Sequence, residues 1–126
     1  MQILSAKELT VYKKGSVLAM EIFKVSITFP QQERSALTSQ IRRSSRLICL
    51  NLREAWGKRR YEAHSISKLT DCGGENSETD SSLNFARACG YISAQQHNEL
   101  TSLCTEIGRM LGAMIHNPAP FLISDL

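Results

Sequence analysis

Proline stands at three positions in this chain of 126 residues: Pro30, Pro118 and Pro120. Proline lacks an amide N–H and clashes with the preceding turn, so helix interiors exclude it. The whole interval from Gln31 to Asn117 is therefore open to long helices. Pro30 marks the one internal break, and the other two prolines fall in a tail.

Hydrophobic spacing fills that interval with helix. Val11, Gly15, Leu18, Ile22, Val25 and Phe29 recur every three or four residues, which sets one stripe on a first helix from about Ser5 to Thr28. Phe29-Pro30 is the turn, with Pro30 expected at the first position of the next helix and Glu33 in its first turn. The second helix is expected over Pro30 to Trp56, with Leu37, Ile41, Ser44, Ile48, Asn51 and Ala55 as its stripe and Gly57 as a C-terminal cap. Gln40, Ser44 and Asn51 lie on or beside that stripe and need hydrogen-bond partners if buried; a buried Asn can fix helix register. A fourth helix opens on Ser93 with Gln96 three residues on, a capping box. Leu100, Leu103, Ile107, Met110 or Leu111, and Met114 form its stripe, and Asn117-Pro118 ends it.

The third helix is ambiguous. Lys58 to Leu69 is helical in pattern, and Leu83, Phe85, Ala86 and Cys89 resume an apolar pattern that Gly90 stops. Between them Asp71-Cys72-Gly73-Gly74-Glu75-Asn76-Ser77 reads as a loop. Two short helices and one long helix both fit. The fold class is all-α in either case. Short connections between long helices imply an antiparallel up-down-up-down four-helix bundle, a single domain over 1–126 with its core at about 5–116 and a tail at 117–126, read as a short arm or a disordered end.

Composition agrees with one globular domain: 42% hydrophobic and 21% charged residues. No apolar run approaches the roughly 20 residues of a membrane span, and Met1 to Lys14 lacks the apolar stretch of a secretory signal. A cytoplasmic protein with no membrane partner is expected. Cys49, Cys72, Cys89 and Cys104 form no Cys-x-x-Cys pair, and each reads as a small buried side chain. Net charge is +3 but uneven. Residues 34–68 carry +7, residues 69–126 carry −5 and the first 33 carry +1. That asymmetry suits a polyanion-binding face or complementary contacts between subunits.

Motifs for chemistry are sparse. There is no Glu-x-x-His for a diiron bundle, and His64, His97 and His116 share no metal-ligand spacing. No phosphate-binding glycine loop is present. No metal and no cofactor is expected. Helical RNases of the higher-eukaryote and prokaryote nucleotide-binding class use an Arg followed, after four to six residues, by a His. Arg59–His64 and Arg109–His116 match that spacing, with His as acid or base and Arg as phosphate clamp. With 15 basic residues and three histidines, chance matches are expected, and an ordinary surface Arg and helix-end His is the simpler reading. The basic stretch is a stronger feature. Arg42, Arg46, Arg53 and Arg60 are spaced 4, 7 and 7, near one helix face that can follow a phosphate backbone. A solvated face or intersubunit salt bridges explain the same spacing. Nearby aromatics are confined to Trp56 and Tyr61, which limits base stacking.

Phe29-Pro30-x-x-Glu33, Leu37-x-x-Gln40-Ile41-Arg42-Arg43 and Asn51-Leu52-x-Glu54, with Glu78 and the Gly90-Tyr91-Ile92 turn, resemble the bacterial four-helix-bundle family named after 23S ribosomal RNA intervening sequences. The likeness runs from about Leu9 to Met114; Ala55 stands where the family usually has Gly. The resemblance implies a bundle that assembles into a ring, commonly of five subunits, and favours a continuous third helix whose small residues permit close approach. The family is also similar to the accessory variability determinants of diversity-generating retroelements, basic pentameric barrels that bind nucleic acid and a reverse transcriptase. By that analogy Arg42, Arg43, Arg46 and Arg53 are candidate nucleic-acid positions, joined by Arg60 from the stripe. Gln40, Arg43, Asn51, Glu54 and Glu78 are implied as a polar network holding helices 2 and 3. The expected function is a non-enzymatic homo-oligomeric scaffold, possible partners being RNA or DNA and a protein. A ring held by protein contacts alone is the alternative, and an Arg/His RNase the third reading.

Overall fold

A computed structural model describes residues 3–123. A 3-10 turn, Ala6–Glu8, precedes four helices: α1 Thr10–Ser26, α2 Leu37–Gly57, α3 Glu62–Ala88 and α4 Ala94–His116. Each helix packs on its chain neighbours, and α1 closes against α4. Among the described residues the pairs α1/α3 and α2/α4 stand diagonally, out of contact. With turns this short, that order is the expected antiparallel four-helix bundle.

The core is one cluster drawn from all four helices, including Leu18, Ile22, Ile41, Ile48, Leu52, Leu69, Leu83, Ile107 and Leu111. The expected stripes supply most of it, with shifts of one position. On α1, Ser26 is buried, while Val25 of the expected stripe is half-buried against the core. On α2, Leu52 takes the deep position and Asn51 is half-buried, so Asn51 is not the buried register-setting residue it was expected to be. On α4, Cys104 and Leu111 are buried, while Leu103, Met110 and Met114 pack at the edge.

The turns correct several boundaries. The segment from Ser5 forms the separate 3-10 turn, with Ser5 Oγ accepting from Lys7 N–H, and α1 starts at Thr10. Pro30 does not open α2. It precedes a 3-10 turn, Gln31–Glu33, and Ala36 breaks the chain direction before α2 begins at Leu37. Gly57 is the last helical residue of α2 rather than a left-handed cap, since Gly90 alone among the described residues has positive φ. At Gly90 (φ 78°) the cap is complete: Tyr91 N–H reaches Ala86 O at 2.9 Å and Gly90 N–H reaches Arg87 O at 3.0 Å. These are the two bonds of a Schellman motif. The capping box of α4 forms as expected, Gln96 N–H to Ser93 Oγ at 3.0 Å and Ser93 N–H to Gln96 Oε1 at 2.8 Å.

Helix α3 is continuous through Gly73-Gly74. Seven of its eight buried positions, Ser65, Leu69, Cys72, Asn76, Thr79, Leu83 and Ala86, alternate at spacings of four and three, with Ser82 beside them. The period is a bundle seam, hidden in sequence because its middle is small and polar. Serine and threonine hydroxyls satisfy themselves there. Thr79 Oγ1 donates to Glu75 O at 2.8 Å, Ser44 Oγ lies 2.8 Å from Thr79 Oγ1, and Ser65 Oγ donates to Ala55 O at 2.9 Å. Asn76 Nδ2 donates to Cys104 O at 2.8 Å, tying α3 to α4.

The close approach of α3 to α2 is made at Ser65 and Thr79 and not at the glycines of α3. A Cβ at Gly73 or Gly74 would meet nothing within 4 Å, whereas one at Gly15 would lie 3.1 Å from Cys49 Sγ and 3.3 Å from Ile48 Cγ2. Gly15 is where α1 nests on α2. The tail, read as an arm or a disordered end, folds back as far as it is described: the Phe121 ring meets Trp56 edge-on at 6.0 Å, and Ile123 N–H donates to Arg59 O at 3.1 Å.

Two substitutions test this account by denaturant unfolding. Gly15→Leu should destabilise the bundle by about 1–3 kcal/mol through overpacking. Gly73→Ala and Gly74→Ala should each stabilise it by up to about 1 kcal/mol, the helix-propensity gain of Ala over Gly. A loss at Gly74 would mean that something outside the chain packs there.

Candidate nucleic-acid interface

The core-facing side of α2 is fixed by Ile41, Ile48, Leu52 and Ala55, so helical geometry turns Arg46 and Arg53 outward and sets Arg42 on the flank toward α1. Arg42, Arg43 and Arg46 meet Arg34, from the turn before α2, around a shallow hollow of about 450 Å³. Arg53 continues the same face, roughly 16 Å along the axis from Arg42 at 1.5 Å per residue. Arg60 does not belong to the stripe, because α2 ends at Gly57 and Arg60 lies in the turn before α3. Arg34 was not singled out by spacing, since it precedes the helix; the turn folds it back onto the face.

The arginines differ in how firmly they are held. Arg42 is half-buried: its Nε donates to Ser26 Oγ at 2.8 Å and its guanidinium lies 4.8 Å from the Phe23 ring centre. It is tethered to α1 with its outer N–H groups directed away from that bond. Arg43 is close enough to Glu75 to act on its carboxyl. Arg46 and Arg53 are exposed, and among the described residues neither pairs with a carboxylate. Leu47 and Leu50 interleave with them, Leu50 at 56% exposure. The face is therefore cationic with apolar patches, a mixture not evident from charge counting alone.

The implied network between α2 and α3 is present in part. Gln40 Nε2 donates to Glu78 Oε1 at 2.9 Å, though both lie at the surface rim and not in the core. Glu54 pairs instead with Lys68 of α3 at 2.7 Å, and that cation holds its carboxyl below the usual range. Arg43 faces Glu75, and Asn51 is hydrogen-bonded to none of the other four among the described residues. Glu75 is the member that sequence did not flag. One of its oxygens is buried with no hydrogen-bond partner, and burial, then the neighbouring Glu78, pushes its carboxyl above the usual range.

No catalytic constellation gathers among the described residues. Arg59 stacks on Trp56, its guanidinium 3.4 Å from the ring centre, while His64 packs against Tyr61, and His116 is exposed at the far end of α4. No group of three or more metal-ligating side chains occurs among the described residues. Cys49, Cys72 and Cys104 are buried, with thiols pushed up by desolvation to about 11, 12 and 12; Cys89, expected to be buried, is exposed in the cap of α3. No helix among the described residues is long and apolar enough to cross a membrane.

A four-helix bundle with an arginine-lined face on its second helix defines the class: a small helical-bundle protein. The chain belongs to the 23S rRNA-intervening sequence protein family, whose model matches residues 7–113. It is similar to a protein with unknown function from the S23 ribosomal protein family of Bacteroides thetaiotaomicron. The two are 27% identical with a TM-score of 0.76, and the match covers 85% of this chain and 96% of that one. Curated proteins give no match.

Glu75 makes the α2–α3 edge pH-sensitive. Its folded-state pKa is raised, so the folded chain holds this proton more tightly than the unfolded chain. The associated stability is full below the ordinary carboxylate range and is lost as pH rises through the raised value. Glu75→Gln, which fixes the neutral form, should be more stable than the parent at pH 7. The difference should vanish below about pH 4, the ordinary range of a free Glu. Equal melting of the two proteins at both pH values would refute the burden placed on this carboxylate.

Proposed function

We propose that the protein is a non-enzymatic, self-assembling scaffold that binds RNA or DNA through the outward face of α2. One observation carries the reading: Arg34, Arg42, Arg43 and Arg46 converge on a single hollow, with Arg53 extending the same face. Guanidinium groups pair with phosphate oxygens bidentately, and a row of them tracks a backbone without reading sequence. Assembly is proposed as a ring, of five subunits by the family resemblance. Its support is the outward side of α1, where Val17, Met20 and Ile27 are 52%, 54% and 63% exposed in one strip. Large apolar side chains exposed on one helix face, here beside Lys13 and Lys24, are surface that association would cover. A protein partner, such as the reverse transcriptase of retroelement systems, belongs to the same proposal.

A second reading has its own observation. Leu47 and Leu50 lie among the arginines, and a phosphate backbone has no use for them. They suit a contact in which the basic face meets the acidic half of a neighbouring subunit, with no nucleic acid involved.

Binding of a labelled 30-nucleotide RNA and of duplex DNA, followed by anisotropy across salt, separates the two. The scaffold reading expects log Kd to rise with log salt by about 0.7 to 0.9 per phosphate contact. Reversing Arg42, Arg46 and Arg53 to Glu should weaken binding by more than about tenfold, while the sedimentation coefficient stays unchanged. Loss of assembly with those reversals, and no nucleic-acid binding by the parent, would instead establish the protein-only ring. Val17→Glu with Met20→Glu should dissociate the assembly in sedimentation velocity if the α1 strip is the contact.

A further inference from the structure

At the end of the bundle that carries the α2–α3 turn, a groove of about 620 Å³ opens between the N-terminal segment, the end of α2, the end of α4 and the folded-back tail. We propose that this groove binds a small molecule with an apolar body and a carboxylate, the carboxylate being taken by Arg59. The site lies away from the basic face of α2 and does not depend on the function proposed above.

The lining sets the chemistry. Leu9, Val11, Met110, Met114 and Phe121 supply an apolar wall, and Trp56 forms its floor with Arg59 on top. The volume falls within the range of small-molecule sites, which are mainly apolar with a few placed polar groups. Methionines at two of the wall positions adapt to ligands of different shape. Arg59 is the one cation among the lining residues. Its Nε donates to Trp56 O at 2.8 Å and its central carbon lies 3.4 Å from the indole ring centre, which fixes the guanidinium and leaves its terminal N–H groups as donors. Among the described residues no carboxylate pairs with it, and burial holds its pKa below the usual value. A half-buried, pre-oriented guanidinium beside an apolar groove suits an anion joined to an apolar group. The tail is part of the device, because the Ile123–Arg59 backbone bond and the Phe121–Trp56 contact hold the lip in place.

Trp56 is the only tryptophan, so its emission reports on the groove directly. Decanoate, decanol and decyltrimethylammonium, each titrated below its micelle concentration into the full chain, are the probes. Decanoate should give a saturable emission change at least about tenfold tighter than decanol, the difference one charge-assisted hydrogen bond makes, with the cation weakest. Arg59→Met should bring decanoate to the level of decanol. Ala113→Phe, which fills the groove and leaves Arg59 in place, should abolish saturation for both. A response that never saturates, or decanoate binding no tighter than decanol, overturns the proposal. So does unchanged decanoate affinity in either variant with helical circular dichroism intact. Should Arg59→Met fail to fold, the decanoate-to-decanol ratio and Ala113→Phe still decide the matter.

Discussion

The pairing of α2 with α3 rests on small hydroxyl-bearing residues whose hydrogen bonds are completed within the pair. Ser44, Ser65 and Thr79 are each buried, yet Thr79 and Ser65 end on backbone carbonyls and Ser44 on Thr79. A buried hydroxyl without a partner is costly, and a satisfied one is nearly neutral. Side chains this small bring the two backbones together, and the large apolar residues are then concentrated at Ile41, Ile48, Leu52, Leu69 and Leu83. Once α2 is seated this way its opposite face is committed to solvent, and the arginines there inherit their direction from the seam behind them.

Polar and charged side chains line the edge of that same pair. Lys68 bridges to Glu54, Gln40 to Glu78, and Arg43 faces Glu75. These are exposed or half-exposed contacts, each worth little alone. Their effect is on distribution: the contacts offset charge along the α3 edge and leave Arg34, Arg46 and Arg53 as the unopposed positive surface. At the other side Lys14 of α1 joins Glu106 of α4 at 2.8 Å, closing the square of helices. Tyr91 and Glu33 do the corresponding work at one end, their 2.8 Å bond linking the α3–α4 turn to the turn before α2.

Much of this was legible in the residues. The stripes on α1 and α4 are large and apolar, so period alone placed them, and Ser93/Gln96 marked an N-terminus that forms as written. The errors have physical reasons. Asn51 and Leu52 are adjacent, and periodicity cannot say which faces inward when the stripe drifts by one residue over several turns. Helix α3 looked broken because its seam is Cys72, Asn76 and Thr79, which carry no hydropathy signal although their spacing is regular. Family resemblance, not composition, favoured its continuity. The resemblance also suggested close packing of small residues on α3, which Ser65 and Thr79 provide and Gly73-Gly74 do not, while Gly15, already on the α1 stripe, is the tightest glycine. The candidate face was half legible. Arg42, Arg46 and Arg53 followed from spacing, but Arg34 needed the turn, Arg60 was lost to the helix end, and the stacking of Arg59 on Trp56 could not be read before the chain was folded.

The distribution of the thiols has a kinetic meaning. Cys49, Cys72 and Cys104 sit on three different helices, each kept in the unreactive protonated form by its surroundings, whereas Cys89 stands in solvent. Alkylation requires a thiolate in contact with reagent. Modification at Cys89 therefore proceeds on the folded chain, and modification at the other three waits for helices to part. The bundle carries its own clock for local opening, one hand on α2, one on α3 and one on α4, with an internal reference that keeps time whether or not the helices separate.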